Sequence, residues 1–405
     1  MEILYFGTLC SQAFEDKIVK QTKNTGNVAQ NNLERALIKG LEEEKEFKFR
    51  ARCLPCLPYE SLNNDKIINS FYDQVSSRFK TKTYTVIKIP GIKYISYFFE
   101  TIFQLLKWNK KIKKKKRVIF VTVNFIPVTA AILALKKVLG YKTVAMVSDL
   151  SRDLYADARI SRMSFFKRII IPAYARLGEK IENSYDAYIF LSEGMNYINK
   201  KNQPYIIMEG IYNDNQKMDI ENPFSEDTLI YAGALNEKYG IDKILEVVNK
   251  IKNPKMKLEI YGDGPCKNLV LEASKKDERI KYCGFVSRDE LFKRMKNAKL
   301  LLNLRNPKLE YTKYSFPSKM FEYMASGVPV ITTRLEGIPK EYYQYTFAVD
   351  SYNTEEIAEN IERILKMDPQ SLRLKGKAAQ EFILSEKTYR TQAQKVAKLL
   401  KKIEV

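Results

Sequence analysis

Tyr314-Ser-Phe-Pro-Ser-Lys-Met-Phe-Glu-Tyr-Met-Ala-Ser-Gly-Val-Pro-Val-Ile331 is the stretch on which the reading of this chain turns. It parses as a loop, a short helix opened by Pro317, a glycine stop at Gly327 and a strand. Proline is tolerated in the first turn of a helix, where a backbone N–H has no partner anyway. Unpaired N–H groups and the dipole at that end favour an anion, and Ser318 and Lys319 stand in the same turn. One turn further in, Glu322 is placed to accept two hydroxyls at once, as a ribose presents them. A diphosphate at the helix mouth with a sugar one turn deeper is the geometry of a nucleotide-sugar site. An amphipathic helix capped for stability fits the same residues equally well.

Size and composition set the frame around this segment. The 405 residues exceed one compact core and suit two domains of about 200 each. Hydrophobic residues at 45% and aromatics at 12% exclude a disordered or collagen-like chain. Five cysteines at irregular spacing give no disulfide framework. Cys53 and Cys56 form a CxxC without a second pair, and the chain has no histidine. Zinc usually takes four ligands, so no metal is expected and a reduced, cytoplasmic protein is the simpler reading. The missing histidine excludes Ser-His-Asp and Cys-His mechanisms. Proton transfer must then use carboxylates, Lys, Tyr or the substrate itself.

The formal charge of +21 is unevenly placed: residues 93–117 carry nine basic side chains against Glu100. In and beside that stretch, Ile92, Ile95, Phe98, Phe99, Ile102, Phe103, Leu105 and Leu106 follow helical spacing, and Trp108 and the run Lys110 to Arg117 come after them. An apolar face ending in Trp and lysines describes a helix lying on an anionic bilayer. A core-packed helix with a solvated basic end fits as well. Nucleic acid is not an expected partner, because no recognition motif or aromatic platform accompanies the charge. Met1 to Phe6 reads straight into a strand, with no signal peptide. The longest apolar run, 118–135, holds Asn124 and Pro127, so no transmembrane segment is expected.

Short β-rich runs alternate with longer helical patterns. Strands are expected near 2–6, 47–53, 83–88, 118–123, 142–147, 187–191 and 205–208, with helices over 27–46, 93–116, 127–139 and 161–184. A polar segment from Asn213 to Asp227 reads as a hinge. The rhythm resumes with strands near 228–232, 257–261, 280–283, 299–304, 328–332 and 346–349, with helices between and a last helix over 386–403. Such alternation builds parallel sheets covered on both faces. The expected fold is α/β, with two Rossmann-like, doubly wound domains facing each other across a cleft. Domain boundaries are expected at 1–222 and 223–385, with 386–405 packing back toward the N-terminal domain.

In the second half, glycine loops end successive strands: Tyr231-Ala-Gly-Ala-Leu-Asn-Glu-Lys-Tyr-Gly240, Tyr261-Gly-Asp-Gly-Pro265 and Cys283-Gly-Phe-Val286. The 314–331 segment follows them. Each loop alone is turn chemistry; four in register and in this order say more. They resemble the donor half of the retaining glycosyltransferase family 4, whose members have the GT-B fold. The resemblance is specific over about 228–340. It is looser in the first half, at Ile3–Thr8, Asn124, Ser148-Asp149 and Tyr185–Ser192.

That resemblance implies transfer of a hexose-type sugar from a UDP- or GDP-sugar, with retention and without a metal, to a saccharide or lipid-diphosphate-linked acceptor. It places the chain in capsule or exopolysaccharide synthesis, at the inner face of the plasma membrane. The site it suggests has Asp149 and Lys319 as catalytic residues. The nucleotide-sugar set is Gly233, Lys238, Gly262, Asp263, Gly264, Phe285, Val286, Phe316, Ser318, Lys319 and Glu322. Departures are visible. Ala234 and Tyr239 stand where the family often has Arg and Lys, and Tyr314 stands where the first of two glutamates belongs. Lys319 and Lys238 are the expected substitutes for the lost charge. Asp149, or less readily Asp153, would orient the acceptor, although an Asp capping a turn at a strand end is an equal reading. Retention without a protein nucleophile implies attack on the same face, with the acceptor proton passing to the leaving phosphate. A non-catalytic partner subunit of the same fold is the competing reading. An epimerase is disfavoured by the absence of histidine.

Overall fold

The computed structural model describes residues 1–22, 28–54, 65–89, 91–112, 116–122, 125–148, 150, 165–212 and 227–403. The chain divides into two compact units. The first comprises Met1–Leu191, Met195–Ile211 and Tyr389–Val405, and the second Ser192–Gly194 and Tyr212–Thr388. Most of the expected hinge, 213–226, lies outside the described residues.

The first unit runs β1 (Glu2–Gly7), α1 (Gln12–Thr22), α2 (Val28–Leu41), β2 (Lys48–Cys53), β3 (Ile67–Ile68), β4 (Tyr72–Gln74), β5 (Lys80–Thr83) and β6 (Val86–Ile87). It continues with α3 (Ile92–Lys111), β7 (Arg117–Val121), α4 (Ile126–Leu139), β8 (Lys142–Val147), α5 (Phe165–Glu182), β9 (Ala187–Phe190) and β10 (Tyr205–Ile207). Its eight-stranded sheet has the order β10-β9-β8-β7-β1-β2-β5-β4. All pairs are parallel except β4 with β5. Strands β1, β7 and β8 are buried on both faces, as strands covered by helices on each side must be. The single strand expected near 83–88 resolves into β5 and β6, which belong to different sheets. Tyr84 between them is buried, and its hydroxyl meets Thr101 Oγ1 of α3 at 2.8 Å.

The second unit runs β11 (Thr228–Ala232), α6 (Ile241–Lys250), β12 (Lys257–Tyr261), α7 (Lys267–Lys276), β13 (Ile280–Gly284), α8 (Arg288–Lys296) and β14 (Leu300–Asn303). After these come α9 (Tyr311–Tyr314), α10 (Lys319–Ala325), β15 (Val330–Thr333), β16 (Phe347–Val349), α11 (Thr354–Leu365) and α12 (Pro369–Glu386). Its six strands are all parallel, in the order β13-β12-β11-β14-β15-β16. The winding direction reverses between β11 and β14, and ligands of open α/β sheets bind beyond the carboxyl ends of the strands at such a point. Strand β11 shows why the sheet is closed on both sides. Leu229 and Tyr231 enter one apolar core with α6 and α11 residues, and Ile230 and Ala232 enter the other with α10 and α12 residues.

A last helix, α13 (Tyr389–Lys402), belongs to the first unit. The helix expected over 386–403 is broken at Lys387, whose buried ammonium pairs with Glu341 at 2.6 Å, and at Thr388, which bridges to Tyr212. Ala393, Val396, Ala397, Leu399 and Leu400 share a core with Ile3, Tyr5 and Leu37. Helix α2 admits α13 because residue 40 is glycine; an added Cβ there would stand 2.4 Å from Ala393 Cβ and 2.5 Å from the Tyr389 carbonyl oxygen. Leu400 is fully buried. Leu400→Ala should therefore cost about 2–5 kcal/mol. In urea titration the loss should appear in the transition of the first unit, and an unchanged midpoint there would show that α13 does not hold its core.

Candidate functional site

The loops that follow β11, β12 and β13 are laced together through backbone. Gly233 N–H donates to the Tyr261 carbonyl at 3.0 Å, Leu235 N–H to that of Asp263 at 3.0 Å, and Gly262 N–H to that of Gly284 at 2.8 Å. Gly262 has φ 132°, and a Cβ on it would lie 1.9 Å from the Gly233 carbonyl oxygen, so no other residue fits. The structure thus brings Gly233, Gly262, Asp263 and Gly264 together. Asp263 is engaged locally: it accepts Gly264 N–H at 2.8 Å and pairs with Lys267 at 3.6 Å. Lys238 lays its ammonium 4.4 Å from the centre of the Tyr311 ring, whose hydroxyl donates to the Lys238 carbonyl. Phe285, just past Gly284, is 85% exposed, whereas Val286 packs on the core.

Helix α10 differs from the sequence expectation at its start. It spans seven residues, and two of its early amides are already used. Met320 N–H donates to the Pro317 carbonyl at 2.8 Å and Phe321 N–H to that of Ser318 at 3.2 Å. Proline at 317 has no N–H to offer, so fewer free amides gather at this helix start than the sequence suggests. Ser318 is exposed and makes no capping bond. Phe316 faces inward, its ring 4.9 Å from Phe321 and 5.1 Å from Tyr342, so its place is the core. Glu322 pairs with Arg288 at 3.2 Å. The Tyr323 hydroxyl accepts Ala232 N–H at 2.7 Å and donates to the Ala232 carbonyl at 3.1 Å, which fastens α10 to the end of β11.

Lys319 and Tyr323 are four apart and share a helix face, so the same attachment carries Lys319 to the switch point. Its ammonium nitrogen is buried, has no hydrogen-bond partner, and lies 3.9 Å from the centre of the Tyr231 ring. Burial, and after it the neighbouring Arg305, push Lys319 well below the ordinary lysine value. Arg305 follows β14. Its guanidinium sits 4.9 Å from the Tyr239 ring centre, its Nε is buried without a partner, and burial lowers its pKa too. Two adjacent buried cations without a carboxylate partner are costly to hold. Groups perturbed in this way concentrate at functional sites.

Sequence reasoning does not single out Arg305, although a charged residue directly after the leucine-rich stretch Leu300 to Leu304, broken only by Asn303, is a readable signal. Tyr314, in place of the family's first glutamate, directs its hydroxyl to Glu310 Oε1 at 3.4 Å. Asp149, Asp153 and Asn124 lie outside the described residues. Among the described residues, no three His, Cys, Asp or Glu side chains are grouped to hold a metal.

Residues 213–381 match the family model described as glycosyl transferases group 1. No curated protein matches the chain in sequence. Solved structures match it along nearly all its length. Sucrose-phosphate synthase from Thermosynechococcus elongatus is similar at TM-score 0.63 and 15% identity, over 100% of this chain and 99% of its own. HepE of Anabaena, solved with UDP, is similar at TM-score 0.64 and 12% identity, over 99% and 100%. The trehalose-6-phosphate synthase OtsA is similar at TM-score 0.66 and 9% identity, over 99% of each chain. The chain has the GT-B fold, built of two Rossmann-like units, and these findings support a glycosyltransferase.

Replacing Lys319 by an uncharged side chain of like length separates function from stability. Lys319→Met should raise the unfolding free energy of the unliganded protein by about 1–3 kcal/mol while weakening nucleotide binding. The sign with pH follows from a folded pKa held below the unfolded one. Between those two values the unfolded chain binds more protons, so this lysine makes stability rise with pH. That alkaline rise should be missing from the variant in paired denaturation curves; identical curves would place the ammonium in water.

Proposed function

We propose that the chain is a retaining glycosyltransferase. It moves a hexose-type sugar from a UDP- or GDP-sugar to a saccharide or lipid-linked saccharide acceptor in cell-surface polysaccharide synthesis. The observation that carries this reading is the unpaired cation pair, Arg305 and Lys319, at the sheet's switch point within the residues that match the group 1 family. A diphosphate supplies the charge the pair lacks. Glu322 takes the ribose by giving up its half-exposed pair with Arg288, an exchange that costs little because such surface pairs contribute about 0–1 kcal/mol. Backbone beside Gly284 and the exposed Phe285 ring suit the base. Asp149 remains the candidate for orienting the acceptor. With no histidine in the chain, catalysis rests on positioning and on electrostatic stabilisation of the departing nucleotide diphosphate. HepE was solved with UDP and with UDP-glucose, which supports a uridine donor as the first choice.

A non-catalytic, nucleotide-sugar-binding subunit is favoured by one observation: Ala234, Tyr239 and Tyr314 replace charged residues of the family pattern. Purified protein incubated with UDP-glucose, UDP-N-acetylglucosamine or GDP-mannose without acceptor decides between the two. An enzyme releases free sugar slowly, and Lys319→Ala lowers that rate by about 100-fold or more while leaving the fold intact. Binding without any turnover would establish the subunit.

Helix α3 supports work at a membrane surface. Tyr97, Thr101, Leu105 and Trp108 are buried, whereas Ile92, Ile95, Phe99, Phe103 and Leu106, on the opposite face, are 42–61% exposed. Lys93, Lys107, Lys110 and Lys111 lie along and beyond that stripe. Among the described residues, no helix is long and apolar enough to cross a bilayer. Anionic lipid is the partner that satisfies stripe and lysines together. The protein should sediment with phosphatidylglycerol vesicles but weakly with phosphatidylcholine ones. A double variant, Phe99→Ser with Phe103→Ser, should stay in solution with unchanged donor hydrolysis. Equal sedimentation of variant and parent would remove α3 from this role.

A further inference from the structure

The cation pair has an unusual internal balance. Arg305 carries a charge that is never given up near neutral pH, but Lys319 need not. The ring faces of Tyr231 and Tyr323, 3.9 and 5.9 Å away, favour the ammonium form, but no facing group offers it a hydrogen-bond acceptor or a negative charge. Tyr231 from β11 presents its ring, with its hydroxyl turned away to the Ala234 carbonyl at 2.8 Å. Tyr323 from α10 has its hydroxyl committed to Ala232. Arg305, from the end of β14, repels a second positive charge. Burial raises Tyr231, Tyr323 and Tyr311 above the ordinary phenol value, so they stay neutral hydroxyls. Glu322, the acidic residue of the same helix, is engaged by Arg288.

The approach to the amine is equally defined. An added Cβ at Gly233 would come to 3.3 Å from Lys319 Nζ, so a ligand atom resting on that glycine's backbone touches the nitrogen. Lys319 comes from the start of α10 and Arg305 from the end of β14, close enough for its charge to act on the amine. Neither charge is where the family pattern expects it, at 234 and 239. We infer that a diphosphate docks against Gly233 as the counter-ion of both side chains, and that its docking is coupled to uptake of one proton from solvent by the Lys319 amine. Arg305 is the fixed charge that draws the anion in. The anion, a few Å from the amine, then restores its ammonium form. The amine lone pair forms one N–H bond with a proton released by the buffer acid, giving an ammonium paired to phosphate; no bond of the nucleotide changes. This rests on the nucleotide-sugar reading above and adds to it a pH dependence. Between the free and liganded pKa values of Lys319, affinity falls by about tenfold per pH unit as pH rises.

Calorimetry with UDP as the probe, at about pH 8 where its phosphates are fully ionised, tests this in buffers of different ionisation enthalpy. The expected result is a net uptake of protons on UDP binding, read from the dependence of the heat on the buffer. Lys319→Met should bind at least tenfold more weakly with no uptake. Lys319→Arg, a charge that cannot titrate, should keep binding and also show no uptake. Arg305→Met should weaken binding and reduce uptake, because the lysine then holds its proton before the ligand arrives. Tight UDP binding with the same heat in every buffer would overturn the coupling and leave the donor reading standing. Failure of UDP and GDP alike to bind would overturn both.

Discussion

One phenol hydroxyl sets the register of the whole site. Tyr323 holds both the N–H and the carbonyl of Ala232, the last residue of β11, where a strand would otherwise present them to a neighbour. That double bond fixes where α10 lies along the sheet, and everything one turn earlier on the helix follows from it. Lys319 falls on the ring of Tyr231, two residues before Gly233, and thus on the loop that Gly262 packs from beneath. Arg305 reaches the same point from β14, the strand beside β11, with its carbonyl held by Thr333 Oγ1 at 2.6 Å. At its far end α10 is pinned by α12, where Gln380 Nε2 donates to the Ala325 carbonyl at 2.8 Å. A helix of seven residues has little stability of its own; its position is imposed by these attachments.

The architecture was legible because parallel strands buried on both faces read as short apolar runs and the helices between them keep their own period. Gly327, with φ 76°, ends α10 as its sequence position indicated. The limits of the reading are as instructive. Pro317 marked a helix start, but sequence does not show that the next amides would close tight turns onto Pro317 and Ser318. Phe316 sat inside a ligand-binding pattern, yet its ring is worth more in the core, where Phe321 and Tyr342 receive it. Lys319 stands at the positive end of a helix, a poor place for a lysine, and its ammonium nitrogen is buried there. Arg305 escaped notice because its partner loop lies many residues away, and only the sheet order brings them together.

Helix α3 shows a second kind of ambiguity. Its apolar residues occupy two opposite faces, so the periodicity announced an apolar stripe without saying which stripe meets the protein. The core-packed reading describes the buried face of the helix, and the exposed apolar stripe is the face on which the bilayer reading rests. Elsewhere in the first unit, Glu34 is buried with Gln30 and the Tyr5 hydroxyl bonded to its carboxylate, and burial raises its pKa. Such a satisfied internal acid anchors α2 to the end of β1, and no sequence pattern separates it from a surface glutamate.

The helix that completes the first unit is made after the whole of the second. A ribosome finishes β1, α2 and the rest of that sheet long before residues 389–403 emerge, and the entire second unit is synthesised in between. Throughout that interval Ile3, Tyr5 and Leu37 lack the covering of Val396 and Leu400. The second unit, continuous from Tyr212 to Thr388 apart from a three-residue contribution, can close first. The first core is thus covered only after the second unit has been made, and until then its apolar face is open to association with other chains.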